Sequence, residues 1–408
     1  MSTVPLRRLI ESVQNGAWGA EADEDAVNVL CVRAADFDFD RLEVDLSRAP
    51  VRSIDQRTMS RLELRPGDIV LEKSGGGDVA PVGRAVAFSH DQPAITSNFA
   101  ARVRPTQRVT PRFLVYVLRS LYASGATLKC IKQTTGIQNL DTEAWLQLPV
   151  VTHEMEVQRR IADFLDDQVA RIDQIITARR RQEQHTSELG QSRLASLFRR
   201  VTRKGRLKDL LLSPPCYGVL KPEYVEEGIP IIRITDLPAS GAIQRDALPR
   251  IPTSQSLEFR RTILEAGDVL LGVVGTLGRP SVVQGNLAGA NVSRAIARLR
   301  PQAEVPGAYI QAVLRLPEFA RFTDEVTQGT AQTVLNMADL KNYPIPVAET
   351  PEMRSLLGEV SQLDLDHASH LHRVRRSVTL LTEYKQSLIT AAVTGELDVT
   401  TAGSGIPG

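Results

Sequence analysis

Several side chains in this sequence are of types that do chemistry, but none has the spacing that the chemistry requires. Asp68 is followed by Glu72 and Lys73, which approaches a metal-nuclease triad, yet the spacing between acid and lysine is wrong for one. Two glycine-rich stretches, 75–77 and 272–278, fit neither a Walker A loop nor a dinucleotide fingerprint. Both directly follow a predicted strand, so they indicate tight turns or a close approach of the backbone to a ligand.

A proline-rich stretch is similar to a loop that stacks on an extruded base in amino-methyltransferases. Residues 213–216 read Ser-Pro-Pro-Cys, but that loop needs an aromatic residue in the fourth position and a glycine-rich cofactor loop before it, and both are missing here. The sequence sets no nucleophile beside any of the histidines, and His367 and His370 fall on a heptad pattern, where polar residues fix register. We therefore expect a chain that catalyses nothing and binds no metal or cofactor itself.

Two long helices are the main predicted elements. The run from Glu154 to Val201 contains no proline and only one glycine, and its apolar residues recur at helical spacing. From Met353 onward, two rows of residues recur every seven positions, which is typical of a coiled-coil seam. The alternative is an ordinary amphipathic helix lying on a globular core. We expect the seam residues to pack between the two helices; they are Ile161, Leu165, Ile172, Val360, Leu363, Val374 and Leu381.

The charges of the two helices indicate how they pair. The first is rich in acids over 154–173 and in bases over 179–206, and the second runs the same way, from acids over 349–366 to bases over 373–385. Acids favour helix N-termini and bases favour C-termini, but the trend extends over many turns beyond the ends. Antiparallel pairing sets acidic halves against basic halves, so we predict an antiparallel pair.

Composition describes a globular chain in a reducing compartment. Its 408 residues suffice for two or three domains, and 42% apolar with 24% charged residues is ordinary for such a chain. No apolar run approaches the length of a membrane span, and the N-terminus has no apolar signal region. The three cysteines lie far apart, so we expect neither disulfides nor a zinc site and place the protein in the cytoplasm. The net charge is +1, so folding or a partner has to create any basic face for nucleic acid.

The chain repeats itself with a period of about two hundred residues. Pro-Gly-Asp-Ile-Val-Leu at 66–71 matches Ala-Gly-Asp-Val-Leu-Leu at 266–271, and Phe113–Arg119 matches Tyr309–Arg315. Each half has short strands bounded by Gly, Pro and Asp, followed by helices predicted over 113–122 and 309–322. We predict an α+β fold with pseudo-two-fold symmetry: two similar domains separated by two long helices that form an antiparallel coiled coil.

Polar loops occupy corresponding places in the two halves. One is Gln133–Asn139 and the other is Gln328–Asn336, both rich in Gln, Thr, Asn and Gly. Asn and Gln can pair with adenine through two hydrogen bonds, and Thr can contact polar base edges or the thymine methyl group. Such clusters are more often plain solvated loops, so this feature is weak on its own.

The sequence resembles the specificity subunit of a Type I restriction–modification system over essentially its whole length. The resemblance rests on Glu-Val-Gln-Arg-Arg-Ile-Ala-Asp-Phe-Leu-Asp at 156–166 with Ala-Arg-Ile-Asp at 170–173, and on Glu-Tyr-Lys-Gln-Ser-Leu-Ile-Thr-Ala-Ala-Val-Thr-Gly at 383–395. Weaker matches are Cys-Tyr-Gly-Val-Leu-Lys at 216–221 and Gly-Ile-Pro-Ile-Ile-Arg-Ile-Thr-Asp at 228–236.

The resemblance implies a division into recognition domains and spacers. Its boundaries are target-recognition domains at 1–151 and 206–347, spacer helices at 152–205 and 348–396, and a disordered tail at 397–408. Each domain would read one part of a split sequence in double-stranded DNA. Two methyltransferase subunits, which use S-adenosylmethionine to methylate adenine N6, would dock on the chain. Restriction–translocase subunits would bring ATP and Mg²⁺. The alternative is a stand-alone DNA-modifying enzyme, either a nuclease or a degenerate methyltransferase.

We expect a set of polar, basic and aromatic residues to face DNA. In the first half these are Lys73, Arg84, Asn98, Gln133, Thr135, Gln138 and Asn139. In the second half they are Tyr217, Lys221, Arg233, Thr276, Arg279, Asn291, Arg294, Thr330 and Gln332. The bland alternative is that most of them are solvated loop groups.

Overall fold

Chain contacts divide the protein into two compact units. One comprises Met1–Arg180 with the chain from Arg375 onward, and the other comprises Arg181–Val374. The description comes from a computed structural model. It covers residues 1–22, 27–134, 136–237, 243–327 and 333–399. Of the tail at 397–408, for which disorder is predicted, residues 400–408 lie outside these residues.

The first unit is built mainly from short strands. These are β1 Ser2–Pro5, β2 Ile10–Asn15, β3 Val27–Val32, β4 Phe37–Asp38, β5 Glu43–Val44, β6 Val51–Ile54, β7 Ile69–Glu72, β8 Ser74–Gly75, β9 Ala85–Ala87, β10 Ala94–Thr96, β11 Ala100–Pro105, β12 Ile131–Thr134, β13 Ile137–Leu140 and β14 Pro149–Thr152. Its helices are α1 Gln56–Leu62, α2 Pro111–Ala123, α3 Thr142–Leu146 and the start of α4 Met155–Arg199. A six-stranded sheet in the order β2-β11-β7-β9-β5-β4 carries the core, which α2 covers.

The second unit repeats this pattern with fewer strands. They are β15 Lys204–Arg206, β16 Cys216–Tyr217, β17 Ile229–Ile232, β18 Arg250–Ile251, β19 Val269–Gly272, β20 Gly278–Val282, β21 Asn291–Val292, β22 Ile296–Leu299 and β23 Pro344–Pro346. Its helices are α5 Thr253–Glu258, α6 Gly307–Leu314, α7 Pro317–Thr327, α8 Met337–Asn342 and the start of α9 Thr350–Thr394. The prediction of a single helix over 309–322 is therefore wrong. The helix is interrupted at 315–316, and Pro317 begins a new one.

Strand pairing confirms the duplication. The order β16-β22-β19-β20 repeats β2-β11-β7-β9, with antiparallel pairing throughout. A second small sheet also recurs: β3 pairs in parallel with β10 and antiparallel with β6, as β17 does with β21 and β18. These are mixtures of strands and helices in both units, so the predicted α+β fold class is confirmed.

Each unit is closed by its first and last strands. β1 pairs antiparallel with β14, and β15 pairs antiparallel with β23. The last strand of each pair lies directly before a long helix. The points at which the chain enters and leaves each unit therefore lie next to each other.

A buried ion pair occupies the same place in both units. Asp68 receives two hydrogen bonds from the Arg104 guanidinium at 2.8 and 2.7 Å, and its side chain is 3% exposed. Asp268 receives two from Arg300 at 2.9 and 2.8 Å. Each carboxylate also accepts a main-chain N–H three residues earlier, which closes the turn before β7 or β19. Bonding to the aspartates raises the pKa of both arginines. The pair therefore holds the turn against the neighbouring strand.

In the first unit, the start of α4 packs against the end of α9. Ile161, Leu165 and Ile172 belong to one core cluster with Ile389, and Leu381 packs against that cluster. These apolar contacts involve the main sheet and α2 as well, so this part of α4 is anchored on a globular core. Each of the three α4 residues is at most 2% exposed.

Polar contacts give the direction of this pairing. His153, just before α4, hydrogen-bonds through Nε2 to the Val393 carbonyl oxygen at 3.1 Å. Further along α4, Asp173 accepts a hydrogen bond from Lys385 Nζ at 2.5 Å. Residue numbers rise along α4 as they fall along α9, so the helices run antiparallel, with an acidic half facing a basic one.

The second unit contains the other parts of both helices. Phe198 of α4 shares a core cluster with Val360 of α9, and Leu363 packs against the same cluster. Arg200 donates to Glu359 at 2.6 Å, an ion pair that is largely exposed. Six of the seven predicted seam residues are thus divided between two cores, because each helix changes its partners along its length.

A close approach of the two helices occurs at Gly190. A Cβ atom at this position would lie 3.0 Å from His367 Cδ2, so the glycine makes room for the imidazole ring. His367 Nε2 is buried and has no hydrogen-bond partner among the described residues. Val374 lies one heptad further along α9 and is 6% exposed.

Candidate nucleic-acid interface

Loops of the first unit meet at one edge of its sheets, here called the first edge and defined by Asn15, Lys73, Ser74, Phe99 and Asn139. The main-chain N–H groups of Lys73 and Ser74 both donate to the Phe99 carbonyl oxygen, at 2.9 and 3.0 Å. Lys73 Nζ donates to Asn15 Oδ1 at 2.9 Å, and Ser74 Oγ donates to Asn139 Oδ1 at 2.6 Å. The ends of β2, β7 and β13 thus present an ammonium and two amides side by side.

A glycine allows the end of β2 to lie against the neighbouring loop. A Cβ at Gly16 would be 2.0 Å from the Thr96 carbonyl oxygen, and one at Gly218 would be 2.0 Å from the Val292 carbonyl oxygen. No side chain fits at such distances. Both units therefore need glycine where the strand turns over the loop.

The second unit forms an equivalent edge, here called the second edge and defined by Tyr217, Val274, Thr276, Arg294 and Thr333. The Arg294 N–H donates to the Val219 carbonyl oxygen at 2.9 Å, and the Gly275 N–H donates to the Thr333 carbonyl oxygen at 3.0 Å. The Tyr217 hydroxyl donates to the Leu335 carbonyl oxygen at 3.3 Å. Burial raises the pKa of Tyr217, so this hydroxyl remains a donor at neutral pH.

Matching main-chain bonds align the two edges position by position. Leu140 N donates to Lys73 O at 2.8 Å, as Leu335 N does to Val273 O at 2.9 Å. Gly16 N donates to Ala100 O at 3.2 Å, as Gly218 N does to Ile296 O at 3.3 Å. The aligned side chains differ: they are Asn15 and Tyr217, Lys73 and Val273, Asn98 and Arg294, and Asn139 and Val334. One scaffold therefore carries two chemically different surfaces.

The structure brings several predicted residues of the first half together. Lys73 and Asn139 belong to the first edge, and the exposed Asn98 precedes Phe99 of that edge. Gln133 is exposed on β12, paired with Gln138 on β13. Three of the seven residues predicted in the first half thus lie at or next to the first edge, and Gln133 lies on the hairpin that carries Asn139.

Other predicted residues of the first half are engaged inside the unit. Gln138 is 7% exposed and accepts a hydrogen bond from the Val82 N–H at 3.3 Å. Arg84 pairs with Glu72 at 2.7 Å, which raises the pKa of Arg84, and its guanidinium lies 4.4 Å from the centre of the Phe39 ring. These side chains hold loops in place. Thr135 lies outside the described residues.

In the second half, five predicted residues are exposed. These are Tyr217, Lys221, Thr276, Arg279 and Arg294, of which three belong to the second edge.

The remaining predicted residues of the second half make internal bonds or are not described. Arg233 donates to Asp236 at 3.0 and 2.9 Å and closes a short turn. Asn291 is fully buried, since its amide accepts from Ser256 and donates to Thr262. Thr330 and Gln332 lie outside the described residues.

Exposed apolar side chains beside the first edge escaped the sequence-based prediction. Trp18 follows Gly16 by two residues, is 38% exposed and lies 4.3 Å from the Arg52 guanidinium. Phe99 and Ile137 are both 48% exposed. A tryptophan within a Gly-Ala-Trp-Gly stretch is the one signal that could have found this surface, because such a loop cannot bury a large ring easily.

The described residues contain no group of three or more His, Cys, Asp or Glu side chains placed to hold a metal ion. Nor does any described helix have the length and apolar character needed to cross a membrane. The polar groups of the two edges are hydrogen-bond donors and acceptors suited to binding.

Comparison with solved structures identifies proteins that share this fold. A crystal structure of the HsdS subunit from Thermoanaerobacter tengcongensis matches with a TM-score of 0.53 and 18% identity, covering 97% of each chain. A chain from a structure of the type I R-M system, solved to explain complex assembly and conformational transition, matches with a TM-score of 0.74 and 17% identity over 97% of this chain and 98% of that one. The chain has the fold of a Type I specificity subunit.

The sequence comparison agrees with the fold. The specificity subunit of the Type I restriction enzyme EcoBI from Escherichia coli is 27% identical over 186 residues, which is 45% of this chain. That match spans 39% of the length of the curated relative. No protein-family model matches the chain. The resemblance to Type I specificity subunits that the sequence indicated is thus confirmed.

Proposed function

We propose that this chain is the DNA-recognition subunit of a Type I restriction–modification complex and reads a split, asymmetric DNA site. The observation that carries this proposal is the duplication of one scaffold with different side chains at aligned positions of the two edges. A scaffold that only needed to bind DNA backbone would gain nothing from such differences. Two edges with different donors and acceptors suit two different base sequences.

The chemistry of each edge supports base reading. Asn15 and Asn139 carry amides, which can pair with adenine through two hydrogen bonds, and the exposed Trp18 and Phe99 offer apolar contact to thymine methyl groups. The second edge carries Arg294, which can bind the O6 and N7 atoms of guanine. The two half-sites should therefore differ in composition as well as in order.

Catalysis and energy supply belong to partners in this proposal. Methyltransferase subunits that bind S-adenosylmethionine dock on the chain and methylate adenines, and restriction–translocase subunits with ATP and Mg²⁺ join for cleavage. The paired helices α4 and α9 act as the spacer that sets the number of unread base pairs between the half-sites. Purified alone, the chain should bind DNA and modify none, even with Mg²⁺ and S-adenosylmethionine added.

A domain exchange tests the modular reading. Residues 207–343 are replaced by the corresponding segment of another recognition domain, a cut that keeps the closing pair β15–β23 native on both strands. The methylated sequence in cells should change in one half-site only, with the other half and the spacing unchanged. A variant that altered both half-sites together would refute the modular reading, and DNA modification by the purified chain would favour a stand-alone enzyme.

Insertion of one heptad into each helix is the matched control. Seven residues add about 10 Å of helix and keep the apolar repeat in register. One insertion goes beside Arg179 in α4 and the other near Val374 in α9. The unread gap should grow by at most about three base pairs, since base pairs rise by about 3.4 Å, while both half-sites stay the same.

A further inference from the structure

A pocket of about 800 Å³ opens beside the second edge. Its wall includes Tyr217, which also belongs to the second edge, together with Phe259 and Met337. The volume lies within the range of small-molecule sites in proteins, roughly 300–1,000 Å³. The bond from the Tyr217 hydroxyl to the Leu335 carbonyl oxygen holds the ring in place, and 38% of the residue remains exposed. The pocket thus shares the partly exposed Tyr217 ring with the proposed reading surface.

Two consecutive arginines line the same pocket. Arg260 and Arg261 are both exposed, and no carboxylate of the described residues forms an ion pair with either guanidinium. Glu258 is the acidic residue among those that line the pocket, so the lining carries two positive charges against one negative. This differs from Arg104 and Arg300, whose charges are neutralised by buried aspartates. A wall with unpaired guanidinium groups beside aromatic rings favours an anion that carries an aromatic or sugar ring.

We propose that this pocket binds the phosphate of a nucleotide through Arg260 and Arg261, with its sugar against Tyr217 and Phe259. Guanidinium groups bind phosphate oxygens through paired hydrogen bonds, and aromatic rings offer an apolar surface to the carbon atoms of the sugar. Because Tyr217 also belongs to the second edge, the nucleotide is one of the DNA strand flanking the second half-site. This choice of source rests on the proposed function; the same chemistry would take a free nucleotide.

A cysteine in the pocket wall can be used as a chemical probe of the site. Cys216 lines it and is half-buried, whereas Cys31 and Cys130 are buried. Burial raises the pKa of Cys31 to about 11 and also raises that of Cys130, so little of either thiol is ionised at pH 8. A maleimide should therefore modify Cys216 first, and a Cys216→Ala variant should react far more slowly.

Protection of Cys216 tests the site in the full chain. The rate of maleimide labelling is measured without ligand, with deoxyadenosine monophosphate, with deoxyadenosine as the control without phosphate, and with duplex DNA that contains the recognised site. We expect the monophosphate and the duplex to slow labelling several-fold, and deoxyadenosine to have little effect. Replacing Arg260 and Arg261 together by alanine should abolish protection by the monophosphate.

An ion-paired arginine of the same unit serves as the matched control. Arg321 pairs with Glu318 at 3.2 Å on α7, and its side chain is 69% exposed. Arg321→Ala should leave protection unchanged. In DNA binding, each lost phosphate contact should lower the slope of log affinity against log salt by about 0.9, equally for all sequences. The single variants Arg260→Ala and Arg261→Ala should each show this effect, and Arg321→Ala should not.

The outcomes separate this inference from the proposed function. Protection by the monophosphate without protection by DNA would support the phosphate site and assign it to a free nucleotide. Protection by the monophosphate in a chain that binds no DNA would leave the site standing while the proposed function fails. Three results together would overturn the inference while the chain still binds DNA specifically. Neither DNA nor the monophosphate would protect Cys216, and the arginine variants would show the same salt dependence of DNA binding as the wild type.

Discussion

Asp173→Asn should destabilise the first unit more than Lys385→Met, which removes the other charge of the same ion pair. Lys385 Nζ lies 2.5 Å from Asp173 Oδ1, and the lysine side chain is 7% exposed against 20% for the aspartate. The substitution leaves a buried ammonium group without its partner, which costs about 3–5 kcal/mol. Lys385→Met leaves the more exposed carboxylate, which also lies near the Arg119 guanidinium, so we expect a smaller cost of about 1–3 kcal/mol.

Local opening is the quantity to measure, because a chain with two compact units need not unfold in a single step. Hydrogen exchange of residues 165–176 and 381–393 reports the free energy of opening for this helix pair. The double variant, with Lys385→Met and Asp173→Asn, should recover to within about 1 kcal/mol of the wild type, because no charge is then left buried.

An exposed ion pair between α9 and the residue that follows α4 provides the control. Arg200 and Glu359 in the second unit lie 2.6 Å apart with side chains 58% and 39% exposed. Glu359→Gln should cost less than about 1 kcal/mol, since water solvates the remaining guanidinium. If Asp173→Asn cost no more than Glu359→Gln, the argument from burial would be refuted.

Three further predictions test packing. Gly358→Ala should stabilise α9 by up to about 1 kcal/mol, because nothing lies within 4 Å of the added Cβ. Gly190→Ala should stabilise α4 less, because His367 lies in the way, and adding His367→Ala should recover the missing stability. Urea denaturation followed by circular dichroism measures the stability of these variants. Gln158→Ala should lower the stability of the first unit by about 1–3 kcal/mol. The fully buried amide accepts a hydrogen bond from one main-chain N–H and donates to two carbonyl groups. Faster hydrogen exchange at the start of α4 would show the loss. Gly16→Ala should distort the first edge, because its Cβ would lie 2.0 Å from a main-chain oxygen, and DNA binding should fall while α4 keeps its protection from exchange.

The long helices were predictable because their signals are local. Apolar spacing and the absence of proline over 154–201 predicted α4 within two residues at each end, and the charge trend gave the antiparallel direction. The distribution of seam residues was not predictable in the same way. Ile161 and Val360 lie in different cores, because the sheets of each unit contribute to the packing of each helix half. A heptad pattern shows that a helix has an apolar face but does not show which part of the protein covers that face.

The residues predicted to face DNA show where local signals stop. Asn291 and Asn139 both lie in short strands beside loops, yet Asn291 is buried against Ser256 while Asn139 is half-buried at the first edge. The partner of Asn291 lies 35 residues away, so nothing near it in sequence reveals that its amide is occupied. Trp18 was overlooked for the opposite reason, because large rings are usually buried and only the fold shows this one exposed.

The paired aspartate and arginine in each unit leave the side chains of the two edges open to variation. Asp68 and Asp268 fix the turn before the central strand from within, whereas the aligned side chains Asn15 and Tyr217 differ completely on the same main-chain frame. Stability and surface chemistry are thus carried by separate residues. A library that randomises the exposed edge positions and keeps the aspartates, arginines and turn glycines should consist mostly of folded proteins. If the edges read DNA as proposed, a designer or natural mutation can change what the protein binds without first having to repair its fold.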